Sequence, residues 1–135
     1  MKNCYNLSTI KRSLIISLIS VLIGGLQMAI FLPDGVSCLN GTSSLFDGIL
    51  FFMPIQMFIV LCLGSINKKI TAYIIPSFLL IYWLFINRDE FVGRKACWST
   101  FSDAEILRVV LLKSALTCTI CLLPLCFLLK KTYHS

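Results

Sequence analysis

Four apolar runs, at residues 13–32, 48–66, 70–86 and 109–129, alternate with short polar segments. A helix rises about 1.5 Å per residue, so about 20 apolar residues cross a hydrocarbon layer about 30 Å thick. Each run meets or approaches that length, and the third is the shortest. Backbone amides in lipid must find partners within their own segment, which makes these runs helices. The ten-residue alternating strands of a membrane barrel are absent from the pattern. Pro33-Asp34-Gly35 stops the first run. The pattern therefore predicts an all-α, polytopic membrane protein, with four transmembrane helices forming one domain over residues 1–135.

The polar segments between the runs predict an orientation. Lys2, Lys11 and Arg12 precede the first run, Lys68 and Lys69 separate the second from the third, and Lys130 and Lys131 follow the fourth. All six acidic residues, Asp34, Asp47, Asp89, Glu90, Asp103 and Glu105, fall in the other two segments, 33–47 and 87–108. The positive-inside rule then puts both termini in the cytoplasm, as in a multi-pass protein of a bacterial inner (plasma) membrane. A cleaved leader is disfavoured, because the first run exceeds the usual apolar stretch of about 7–15 residues and lacks a small-x-small site before Pro33.

Composition agrees with this reading. The chain is 58% hydrophobic and 13% charged, against about 45–50% and about 25% in soluble domains. The net charge of +6 sits in pairs at the ends of apolar runs. That distribution is a topology signal and not the continuous patch that nucleic acid needs.

Two of the seven cysteines, Cys38 and Cys97, fall in the outer segments. Disulfides persist in oxidising compartments, so a Cys38–Cys97 bridge is expected there. Cys118 and Cys121 form a C-x-x-C that resembles the membrane thiol oxidoreductases of the quinone-reductase and vitamin K epoxide reductase type. In those families the pair lies near the outer end of a helix and works with a second cysteine pair in a loop. Here it begins nine residues into the fourth run, about 14 Å deep by helix rise. Cys62, Cys118, Cys121 and Cys126 are therefore read as small packing residues. The one histidine is His134, in the tail, so no metal site is expected.

Inside the runs, Ser13, Ser17, Ser20 and Gly24 make one small-residue stripe continued by Gln27. Such stripes let helices approach closely, and a buried amide seeks a partner across the interface. Gln56 is a second such amide. Lys113, Thr117, Cys121 and Pro124 share one face of the fourth run. Lys113 either snorkels to the headgroups or faces Gln27 or an outer-loop carboxylate. Pro54, Pro76 and Pro124 are expected to loosen helices. No intramembrane carboxylate and no internal repeat supports a transporter acting alone.

Residues 88–108 carry four positive and four negative charges interleaved with Phe91, Trp98 and Phe101. The aromatics fit an interfacial belt or a recognition surface. Asp103 is expected to cap the helix that follows, and Asn40-Gly41-Thr42 is a glycosylation sequon. No phosphate loop, no Ser–His–Asp set and no Gly-x-Gly-x-x-Gly is present, so no catalytic residue and no cofactor is expected.

Phe85, Asn87, Glu90, Gly93 and Arg94, followed by Asp103 and the closing Lys130-Lys131, resemble the last outer loop and last helix of colicin immunity proteins of the colicin A type. Gly41-Thr42-Ser43-Ser44 is similar to a Thr/Ser-rich stretch before their second helix. This chain is shorter, has a tighter cytoplasmic turn and has more cysteine than that pattern. The resemblance implies a protein that is not an enzyme and that blocks a pore-forming toxin by binding its inserted helices in the bilayer. The residues expected to meet that partner are Arg88, Glu90, Arg94, Trp98 and Lys113 outside, with Ser17, Ser20 and Gly24 in the membrane. The alternatives are an accessory or regulatory subunit of a larger inner-membrane complex and a membrane thiol-disulfide oxidoreductase.

Overall fold

A computed structural model describes residues 7–32, 35–38, 41–66, 69–98 and 100–134, apart from the side chains of Trp98 and His134. Lys2, Pro33, Asp34, Asn40 and Lys68, and the side chain of Trp98, therefore lie outside the described residues. Helices α1 (Leu7–Phe31), α2 (Leu45–Gly64) and α3 (Thr71–Arg94) are followed by a 3-10 turn at Ala96–Trp98. Helix α4 (Asp103–Val109) runs through a π turn (Val110–Ser114) into α5 (Ala115–His134). Four helical segments, Leu7–Phe31, Leu45–Gly64, Thr71–Arg94 and Asp103–Tyr133, are long and apolar enough to cross a membrane.

The third helix differs from its expected extent. It does not stop at residue 86 but continues to Arg94, so Asn87, Arg88, Asp89 and Glu90 are helical. The charges follow helical periodicity. Asn87 and Arg94 face the bundle, while Arg88 and Asp89 face out. Glu90 and Arg94 are paired one turn apart, a spacing that brings side chains together on one helix face. The start of α4 is also corrected. Ser102, not Asp103, is its N-cap, with an extended backbone and a hydroxyl that accepts from Glu105 N, while the Glu105 carboxylate accepts from Ser102 N. Ser44 and Asp47 begin α2 with the same reciprocal pair.

Helix α1 packs chiefly on α2, and α5 lies against α3 and α1. Apolar burial forms two clusters. One gathers Ile16, Val60, Ile75, Leu79, Leu125 and Leu129. The other gathers Met28, Leu32, Met53, Ile86, Phe91 and Ile106. At the end of the first cluster, Ser13 Oγ donates to Leu61 O (2.7 Å) and Tyr133 Oη to Gly64 O (2.8 Å), while the Arg12 guanidinium lies 4.8 Å from the Tyr133 ring centre. The beginning of α1 and the ends of α2 and α5 thus meet at one end of the bundle. The opposite end carries the connection between α1 and α2 and that between α3 and α4.

Candidate functional site

At that opposite end the described backbone of the connection, 35–38 and 41–44, is irregular, and most of its carbonyls lie outside any helical ladder. Arg94 supplies donors for them. Its Nη1 donates to Gly35 O (3.0 Å) and Ser43 O (2.9 Å), and its Nη2 to Ser44 O (2.7 Å). Its Nε is held by Glu90, so one guanidinium joins α3 to both sides of the connection and to the first turn of α2. Arg94 is 6% exposed. A buried guanidinium is stable when a carboxylate and several further acceptors surround it. The geometry requires Gly48 on α2, because a Cβ there would stand 2.9 Å from Glu90 Oε2 and 3.1 Å from Arg94 Nη2.

A disulfide fastens the same end. Cys38 and Cys97, 59 residues apart, are bonded with their Cα atoms 6.4 Å apart. Cys38 N also donates to Gly93 O (2.9 Å). Gly41, at φ +66°, turns the connection back so that its N–H reaches Ser37 O (2.8 Å). Within the pattern Asn87, Glu90, Gly93 and Arg94, the last three hold the connection, and Asn87 serves a second site deeper in the bundle.

That second site is a polar belt between the two apolar clusters. Asn87 Nδ2 donates to Gln27 Oε1 (2.8 Å) and Ser114 Oγ (2.6 Å), and Cys118 Sγ lies 3.4 Å from Gln27 Oε1. A turn away, Trp83 Nε1 donates to Gln56 Oε1 (2.7 Å) and Gln56 Nε2 to Ser20 O (2.8 Å). Gln27, Gln56, Asn87 and Ser114 are fully buried. In a medium without water, each amide group needs such a partner. The belt ties α1 to α2, α3 and the rod that contains α5. Ser114 closes the π turn, where Ala115 N donates to Val110 O, and π turns recur where a helix must aim a particular side chain.

The sequence-derived candidates fall into distinct places. Ser17, Ser20 and Gly24 are buried against α2, Ser17 Oγ donating to Met57 O (3.1 Å). A Cβ at Gly24 would stand 3.0 Å from the Gln56 amide. The contacts described for this stripe, which was expected to meet an outside partner, are within the chain. The same holds for Glu90 and Arg94, whose side chains serve the connection. Lys113 does not face Gln27, whose partner is Asn87. It is exposed. Arg88 is exposed too, beside Asp89, and Lys95, Asp103, Glu105 and Arg108 extend this mixed-charge rim. Cys118 is fully buried, Cys121 and Cys126 are partly buried and Cys62 is exposed; all four are free thiols. Among the described residues, no group of three His, Cys, Asp or Glu side chains is placed to hold a metal ion.

Asn87, Trp83 and Ser114 are belt residues that the sequence pattern does not single out. The charges that follow Asn87 immediately give it the look of the start of an outer segment. Its signal was its spacing from Trp83 and Arg94, at i−4 and i+7, which puts all three on one helix face. Comparison of the chain with family models, with curated proteins and with solved structures finds no match.

Proposed function

We propose that the chain resides in a bacterial inner membrane and acts by binding another membrane-inserted protein, without catalysis. In this reading the partner is the channel-forming part of a pore-forming toxin. Both termini are cytoplasmic, and the end that carries the disulfide faces outward. Three features of the sequence support the orientation: Lys11 and Arg12 near the start of α1, Lys68-Lys69 before α3, and Lys130-Lys131 near the end of α5. A disulfide at the opposite end fits the oxidising side.

The observation that carries the reading is the division of charge at the disulfide end. Glu90 and Arg94 turn inward and hold the irregular connection. Arg88, Asp89, Lys95, Asp103 and Arg108 turn outward. This rim stands above apolar helix surface that includes Phe85 (61% exposed) and Leu111. Lipid offers no hydrophobic driving force between helices, so selectivity in the bilayer must come from packing, hydrogen bonds and charge. A mixed-charge rim fixes approach and register. The apolar flanks of α3 and α4 then lie along the inserted toxin helices and keep them from assembling an open channel. The disulfide and Arg94 keep the rim preformed, which reduces the ordering cost of binding.

The test is survival. Sensitive cells that express the chain should withstand the toxin encoded beside its gene. Arg88→Glu combined with Lys95→Glu should weaken that protection while leaving protein level and disulfide intact. Absence of protection rejects the reading. A stable, stoichiometric partner recovered without any toxin would replace it with a subunit role in a larger membrane complex.

A further inference from the structure

Between the last turn of α1, the end of α3 and the α4–π segment lies a cleft of about 350 Å³, lined by Ile30, Phe31, Leu32, Phe91, Val109, Lys95, Lys113 and Thr117. We infer that this cleft holds a glycerophospholipid with an anionic headgroup, its phosphate between Lys95 and Lys113 and the start of one acyl chain along Ile30 and Leu32. Four observations lead there.

The floor is apolar, with Leu32 and Phe91 almost fully buried and the rings of Phe31 and Phe91 6.3 Å apart. The wall faces lipid, since Ile30 is 61% exposed on a helix apolar enough to span a membrane. The described lining brings two lysine side chains, Lys95 and Lys113, to the same cleft. Finally, Lys113 sits on the π turn, a local departure from helical geometry of the kind found at functional sites.

A volume near the lower end of the range for ligand pockets suits a headgroup and the first part of a chain, not a whole lipid. The remaining chain length would run in the bilayer. A lysine ammonium held at a membrane surface attracts an anionic headgroup, each adding about a fivefold preference. A water-soluble phosphate would match the ammonium groups but leave the apolar floor uncovered, so a lipid is the occupant the cleft fits.

Native mass spectrometry of the intact protein released from nanodiscs measures this directly. Offered equal phosphatidylglycerol and phosphatidylcholine with the same chains, the protein should retain the anionic lipid preferentially. Lys113→Gln and Lys95→Gln should each cut the preference about fivefold, and Lys131→Gln, at the other end of the bundle, should leave it unchanged. An intact Cys38–Cys97 disulfide in each variant verifies the fold. Equal retention of the two lipids overturns the inference, as does an undiminished preference in the lysine variants. Displacement of the retained lipid by soluble glycerol phosphate at equal concentration also overturns it, because the site would then be for a soluble anion.

Discussion

The two ends of the bundle solve the same problem with different chemistry. At the end where the chain begins and finishes, helices stop close together and single hydroxyls suffice: Ser13 to Leu61 O, Tyr133 to Gly64 O, with Arg12 over the Tyr133 ring. At the other end a long connection must be held against α3. There the chain uses a covalent bond, a buried guanidinium with three carbonyl acceptors, and a carboxylate to balance it. Irregular backbone exposes carbonyls that a helix would satisfy internally, and that need explains the arginine. The contrast locates rigidity at the end that carries the exposed charged rim.

The largest expected effect is at Arg94. Arg94→Ala leaves the Glu90 carboxylate without its ion-pair partner and takes one donor from each of three carbonyls, and should cost about 3–5 kcal/mol in reversible unfolding in mixed micelles. Arg94→Lys should recover less than half of that loss, because an ammonium cannot span acceptors on both sides of the connection. Full recovery would show that charge alone matters there. Next comes the disulfide. Cys38→Ser should cost about 2–4 kcal/mol, and reductant should weaken the parent protein equally while leaving the variant unchanged.

A smaller effect is expected in the belt, which both ends share. Asn87→Leu should cost about 1–2 kcal/mol, near the upper range for hydrogen bonds between membrane helices. A double-mutant cycle of Asn87→Leu with Gln27→Leu should show clear coupling, whereas Asn87→Leu with Gln56→Leu should be nearly additive. The smallest effect belongs to the hydroxyl-bonded end. Tyr133→Phe removes one bond to Gly64 O and should cost about 1 kcal/mol. If Tyr133→Phe proves as damaging as Arg94→Ala, the two ends do not differ as described.

Much of this architecture is readable in the residues themselves. The four apolar runs, the buried stripe from Ser13 to Gln27 and the pairing of Cys38 with Cys97 all follow from strong, redundant signals: run length, helical spacing and cysteine placement. The end of α3 is not readable that way. Charge immediately after an apolar run normally marks the exit from a helix, yet Glu90 and Arg94 neutralise one another one turn apart and the helix continues. Ser102 is hidden as a cap because Asp103 beside it is an equally good capping residue. The π turn adds one residue to one turn, too small a phase change to detect among uniformly apolar neighbours. The partner of Gln27 is undetermined by spacing along α1, since it depends on how α3 is rotated. These are tertiary facts, and they decide which polar residues are internal and which remain for a partner.

The proposed function requires the disulfide end to face out of the cell. Asp89→Cys and Lys131→Cys variants, treated with a membrane-impermeant maleimide on intact spheroplasts, test that directly. The thiol at position 89 should label from outside, and the thiol at position 131 only after permeabilisation. Labelling in the reverse order, or of both positions from outside, would contradict it.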